Sequence, residues 1–165
     1  MKLGRLLRHL FFPPWWLRVC FPRRTLEAIE DAIRASERTH RGQIRFAVEA
    51  SLGLPALVAG VTPRRRALEV FAQLGVWDTE ENNGVLIYVL LADRDVEIVA
   101  DRGIARRVPA QEWETICRRM EAAFRQGRFA EGALTGIEAV GALLARHFPP
   151  QGAAANELPD RPVLL

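Results

Sequence analysis

Asn82-Asn83-Gly84-Val85-Leu86-Ile87-Tyr88-Val89-Leu90-Leu91-Ala92-Asp93-Arg94-Asp95-Val96-Glu97-Ile98-Val99-Ala100-Asp101 is the stretch on which the fold turns. From Gly84 to Ala92 the side chains are continuously apolar, and turn residues stand on both sides. A short apolar run bounded in this way predicts a central strand covered on both faces. Asp93-Arg94 reads as a tight turn, which an aspartate suits. Beyond it Val96, Ile98 and Ala100 alternate with Asp95, Glu97 and Asp101, which predicts the return strand of a hairpin.

Upstream, residues 43–50 alternate too. Ile44, Phe46, Val48 and Ala50 point one way, and Arg45, Ala47 and Glu49 the other. That is a strand with one firmly buried face. Residues 52–61 read as a Gly/Pro-containing loop. Thr62 then caps a helix that has Pro63 at its first position and Ala67, Phe71 and Leu74 on its inner side. An earlier helix over 23–39 carries Leu26, Ile29 and Ile33 on one stripe.

Downstream, Pro109 opens a third helix, with Trp113, Ile116, Met120 and Phe124 inward. A fourth runs over 129–147 with Ala133, Ile137, Val140 and Leu144 inward, until Pro149-Pro150 stops it. The order helix–strand–helix–strand–strand–helix–helix predicts an α/β fold. The expected form is a three-layer α/β/α sandwich with a small mixed sheet containing a β-hairpin. A right-handed crossover makes the first two strands parallel.

The 165 residues suit one domain. It divides into a basic aromatic N-terminal arm (1–22), an α/β domain (23–148) and an extended or flexible tail (149–165). Pro159 and Pro162 keep the tail extended, free to dock in a groove of its own chain or to add to a partner. Net charge is only +3, so no nucleic-acid partner is expected, but the charge is unevenly placed. Residues 1–26 hold Lys2, Arg5, Arg8, Arg18, Arg23 and Arg24 and no acid. Residues 78–101 hold seven acids against Arg94 alone.

Scarcity excludes several chemistries. Lys2 is the only lysine, which speaks against a buried Schiff-base lysine. Cys20 and Cys117 form no Cys-x-x-Cys and no disulfide framework. The histidines lack metal spacing, and neither Ser36 nor Ser51 sits in a nucleophile elbow. In the arm, Arg8, His9, Pro13, Pro14 and Arg18 interrupt any signal-peptide core. Phe11, Phe12, Trp15 and Trp16 stand among its cations. The arm reads either as a peripheral membrane contact through Trp15 and Trp16, or as a segment packed over the domain.

The Asn-Gly-Val-Leu-Ile strand, the Asp93-Arg94 hairpin, Gly103 after the third strand and the break Phe124-Arg125-Gln126-Gly127 occur in one order. In this they resemble the TPM-domain family of small α/β domains, over roughly residues 23–148. The resemblance implies an α/β/α sandwich, calcium binding as described for some members, and the phosphatase activity proposed for plant members. Many bacterial members carry a signal peptide and a C-terminal membrane span. This chain looks like the short cytoplasmic bacterial subgroup that accompanies LemA-type membrane proteins. It departs from the family pattern at Asn82-Asn83-Gly84, where Asp-Asn-Gly is common, and at Arg102-Gly103, where an aromatic residue often precedes the glycine.

Calcium needs clustered oxygen ligands. The metal set expected here is Asp78, Glu81, Asn82 and Asp101, and a solvated acidic rim is the other reading. Asp93-x-Asp95 has the spacing of a phosphatase nucleophile and proton donor, but it occupies a turn. Arg45 and Glu49 should each pair with a helix residue or face solvent. Arg102, Arg106, Arg107, Arg118 and Arg119 could hold an anion or an acidic partner. The expected function is a non-enzymatic accessory or interaction domain, calcium-binding and associated with membrane machinery. Its expected place is the cytoplasm, peripheral at the inner membrane, with a LemA-type or second TPM protein as partner. The alternative is a metal-dependent phosphatase.

Overall fold

The computed structural model describes residues 3–153 and 155–165; Met1, Lys2 and Ala154, and with Lys2 one cation of the basic arm, lie outside the described residues. The apolar run forms β2 (Gly84–Leu90) and its return strand forms β3 (Asp95–Ala100), paired antiparallel from Val85↔Ala100 to Leu90↔Asp95. β1 (Gln43–Glu49) lies parallel to β2, in register from Gln43↔Gly84 to Glu49↔Leu90. A fourth strand, β4 (Val163–Leu164), pairs parallel with the other edge of β1, so the sheet order is β3-β2-β1-β4.

Each face of this sheet has its own core. Ile44, Phe46 and Val48 of β1 join Val85, Ile87 and Val89 of β2 on one side. There they meet α3 (Arg23–Glu37), α7 (Ala110–Arg125) and α8 (Phe129–His147). On the other side Ala47, Leu86, Tyr88 and Leu90 meet α4 (Leu54–Val58) and α5 (Pro63–Gln73). The result is the three-layer α/β/α sandwich. Thr62 caps α5 by accepting from the Arg65 amide, as its position before Pro63 predicts.

Three local readings change. The segment 52–61 contains α4 rather than loop alone. A short α6 (Arg102–Ala105), capped by Asp101, follows β3. β1 is buried at every position rather than on one face. The tail closes the outer edge of β1 and covers Gln43 and Arg45, while Ala47 packs in the core under α4 and α5 and Glu49 is held by Arg66 of α5. Gln43 Oε1 accepts from the amides of Glu157 and Leu158 at 3.0 and 2.9 Å. The Arg45 guanidinium donates to the carbonyls of Pro159 and Arg161. The Leu165 amide donates to Val48 O at 2.9 Å.

The arm also folds. Leu3–Leu10 forms α1 and Trp16–Cys20 forms α2, with His9, Leu17 and Cys20 buried. Its attachment is electrostatic at one point, the β2–β3 turn. Asp93 accepts from Arg5 Nη2 at 2.8 Å and from Arg8 Nη2 at 3.0 Å, and His9 Nε2 lies 3.0 Å away. His9 Nδ1 accepts from the Leu52 amide at 2.9 Å, which assigns the ring proton to Nε2, facing Asp93. Burial opposes ionisation of Asp93, yet Arg5, His9 and Arg8 together hold its carboxyl below the ordinary range.

Under the tail, Glu37 of α3 accepts from the Ile44 amide and faces Asp160. Burial pushes the Glu37 carboxyl up to about 8; the Ile44 bond opposes the rise and the Asp160 carboxylate adds to it. A carboxyl raised on folding stabilises the fold fully below its unfolded value near 4.5, and that contribution is lost as pH rises through about 8. Denaturant unfolding at a series of pH values should therefore show stability declining between these limits. Glu37→Gln should flatten part of that decline, and an unchanged slope in the variant would contradict the assignment.

Candidate functional site

An open cleft of about 500 Å³ lies at the N-terminal end of β2, lined by Trp77, Asp78, Thr79, Asn82, Asp101 and Arg102. The turn before β2 builds one wall. Thr79 Oγ1 accepts from the Asn83 amide at 3.1 Å, and Asn82 is held at φ 52, a left-handed conformation that asparagine tolerates. The start of α6 builds the other. The Gly103 amide donates to Asn82 O at 2.8 Å, and the Asp101 amide donates to Gly84 O at 2.9 Å.

Glycine is required at two of these positions by space rather than by φ. A Cβ on Gly103 would collide with the backbone carbonyls of Glu81 and Asn82, and one on Gly84 with that of Val76. The sequence pattern Asn82-Asn83-Gly84 … Asp101-Arg102-Gly103 is thus a closure of two loops, backbone against backbone.

Of the four expected metal ligands, Asp78, Asn82 and Asp101 share this cleft. Glu81 does not line it. Its carboxylate takes a two-pronged contact from Arg41 Nε at 2.8 Å and Nη2 at 3.0 Å, and hydrogen bonding from Arg41 draws its carboxyl below the ordinary range. Asp101 divides its oxygens. Oδ1 accepts from the Arg102 amide at 2.7 Å, whereas Oδ2 is buried with no hydrogen-bond partner among the described residues. Arg102 Nε reaches Asn82 Oδ1 at 3.4 Å and sets a positive charge on the rim. Among the described residues no three His, Cys, Asp or Glu side chains gather as a metal cluster.

The second feature is the outer face of α1. Arg5, Arg8 and His9 turn toward Asp93, and this leaves Leu3, Leu7, Leu10 and Phe11 on the opposite side. They fall at helical spacing on one stripe. Phe11 is 76% exposed and, past the Pro13-Pro14 corner, Trp15 is 61% exposed, so the stripe continues into solvent. Trp16 and Val19 are exposed beside it.

Other candidates have structural employment. Glu49 accepts from the half-buried Arg66 Nε of α5 at 2.8 Å and from the buried Tyr88 hydroxyl at 2.6 Å. Burial and the Glu49 contact hold the Tyr88 phenol far above its usual range. Arg45 is taken up by the tail and Asp93 by the arm. Arg107 stacks on Phe148 with its guanidinium 4.5 Å from the ring centre. The arm's grip on Asp93 was missed in sequence, although Arg5 and His9 at i, i+4 beside Arg8 were a usable signal.

These features define a small α/β/α domain of mixed four-stranded sheet, with an acidic cleft at one strand end and an apolar arm. The chain belongs to the TPM-domain family, whose model matches residues 20–143. It is similar to the BA42 protein of the psychrophilic bacterium Bizionia argentinensis at 34% identity, with 86% of this chain and 93% of that one covered and a TM-score of 0.76. An N-terminal domain from P. gingivalis aligns at 22% identity over 85% of this chain and 94% of that chain, with a TM-score of 0.62. The N-terminal domain of cg2496 from Corynebacterium glutamicum aligns at 16% over 81% and 78%, with a TM-score of 0.54. These two likenesses show the fold alone. No curated protein matches the chain.

Since the cleft depends on backbone contact at Gly103, Gly103→Ala should destabilise the protein by about 2 kcal/mol, the scale of overpacking. Amide shifts in Glu81 and Asn82 should move with it. A thermal midpoint and shifts equal to those of the wild type would show that the two loops are not in contact.

Proposed function

We propose that this TPM domain is an accessory domain that docks on an anionic membrane surface through its arm. The observation that carries the reading is the solvent-facing stripe Leu3, Leu7, Leu10 and Phe11, held outward because the opposite side of α1 is fixed on Asp93. An exposed apolar patch of this kind marks an interaction surface. Its charge selects the occupant. Arg8, Arg18, Arg23 and Arg24 of the same N-terminal segment are exposed, and no acid precedes Glu27. Apolar residues and tryptophans beside arginines match an interfacial helix on acidic lipid, each cation adding about 1 kcal/mol near the surface. No helix among the described residues is long and apolar enough to cross a membrane. Docking of this kind would bring the domain to membrane-protein partners, among them the LemA type that the family resemblance suggests.

Flotation with vesicles of phosphatidylglycerol and phosphatidylcholine tests this. The protein should float with anionic vesicles, less so at high salt, and stay behind with pure phosphatidylcholine. Leu7→Glu/Phe11→Glu should weaken binding at least tenfold, since each buried apolar side chain is worth about 1.5–3 kcal/mol. Equal flotation of variant and wild type would defeat the proposal, and no flotation at all would leave the stripe to a protein partner.

A second reading concerns calcium, and Asp101 Oδ2 favours it: a buried carboxylate oxygen without a partner among the described residues. Asp78, Asn82 and Asp101 offer hard oxygen donors of the type calcium takes, with water to complete six to eight positions. Calcium held there would join the two cleft walls, and the metal-dependent phosphatase alternative likewise needs a bound metal ion. Two carboxylates with a competing arginine make the site weak, about 10⁻⁴ to 10⁻³ M. Titration calorimetry on chelator-treated protein should show such binding, lost in Asp101→Asn. Absence of heat up to roughly 10 mM calcium would remove the site. Hydrolysis of a generic phosphomonoester that persists in Asp101→Asn would be contamination.

A further inference from the structure

A cavity of about 300 Å³ lies between the arm and the junction of α7 with α8. Phe12, Trp16 and Cys20 of the arm line it on one side, and Leu91, Phe124 and Phe129 on the other. Its wall is mainly apolar, and even its one thiol is neutral, burial pushing Cys20 up to about 11. Two cations complete the lining, Arg94 and Arg125. We infer that this pocket binds a single-chain amphiphile with an anionic head, the chain among the aromatic side chains and the head between the two guanidinium groups.

Three observations support that ligand class. The first is volume. Ligand pockets run from about 300 to 1,000 Å³, so this one takes one short chain and excludes a two-chain lipid. The second is charge. Arg94 has no salt bridge among the described residues, and Arg125 has only an exposed contact with Glu121 at 3.5 Å, of the kind worth little. Two guanidinium groups beside an apolar cavity suit a carboxylate or phosphate head.

The third is backbone conformation. The β2–β3 turn closes with the Arg94 amide donating to Leu91 O at 3.0 Å, and Arg94 then adopts φ 55. Turn geometry favours glycine or asparagine in that left-handed position. An arginine there opposes local preference, and such departures concentrate at ligand sites. The turn also carries Asp93, so one loop both anchors the arm and presents a cation to the cavity beneath it. This inference does not rest on docking at a bilayer, because it concerns a free ligand in a pocket lined by none of Leu3, Leu7, Leu10 and Phe11.

The test uses decanoate below its micelle-forming concentration, with binding followed by titration calorimetry and by NMR of the Trp16 indole. Binding at one site with shifts at Trp16 and Phe129 is expected. Decyltrimethylammonium should bind at least tenfold more weakly, and acetate should give no shift. Arg94→Gly should lose at least tenfold in decanoate affinity while its thermal midpoint stays level or rises, since glycine relieves the left-handed backbone. A purely structural role for Arg94 would not give that combination. Arg125→Gln should weaken binding as well. Leu7→Glu/Phe11→Glu, which alters only the outer stripe, should bind decanoate as the wild type does. No binding, equal binding of the cationic amphiphile, unchanged affinity in Arg94→Gly, or loss of binding in the stripe variant would each overturn the pocket.

Discussion

A buried carboxylate at a hairpin turn holds the architecture of the arm. Asp93 sits where β2 reverses into β3, its side chain 7% exposed, and it can remain charged there only because Arg5, Arg8 and His9 converge on it. The bonds act in both directions. They fix the turn, and they fix the rotation of α1 about its axis. With the polar face of α1 committed to Asp93, its apolar face has no choice but to point outward. An arm held by apolar packing alone would have buried that stripe. Electrostatics in the interior thus produces hydrophobicity on the surface, and the membrane reading depends on that inversion.

The two ends of the chain treat the sheet differently. The N-terminal arm lies over the strand ends, with His9 bonded to the Leu52 amide just past β1. The C-terminal tail lies along an edge. β1 would otherwise present unpaired backbone to solvent, a known route to unwanted strand pairing. β4, the Leu165 amide and the Glu37 carboxyl take up groups along that edge, and the side chains of Gln43 and Arg45 tie down the tail's own backbone. The acidic cleft lies at the N-terminal end of β2, so membrane contact and a cleft ion would occupy separate parts of the domain.

The sequence carried the sheet and its main helices because their signals are local. The apolar run 84–92, the alternation of 95–101, the Thr62-Pro63 start and the heptad-like stripes of α7 and α8 each depend on neighbours in the chain. What escaped was set by distant contacts. Burial of Gln43 and Arg45 in β1 comes from residues 157–165, more than a hundred positions away. α4 is five residues long, too short for periodicity to register. In the cleft, Asp78, Asn82 and Asp101 were grouped in sequence as oxygen-bearing residues of the acidic stretch, and the close approach of two turns at Gly84 and Gly103 is what brings them together. Glu81 was grouped with them by sequence proximity, and its side chain instead follows Arg41, a residue from before β1. The arginines of the arm were legible as charge, but their target was not, since Asp93 read simply as a good turn residue.

The central claim is that α1 presents an apolar face to acidic lipid while its opposite face stays on Asp93. Depth-dependent fluorescence quenching measures this directly, using anionic vesicles with bromine at defined positions along the acyl chain. In a Trp77→Phe protein, Trp15 and Trp16 are the exposed tryptophans that remain, and Trp113 is buried in the core. The account predicts a blue-shifted emission with quenching strongest for bromine near the headgroup and reduced toward the bilayer centre. Emission unchanged by vesicles, with no quenching at any depth, would contradict it.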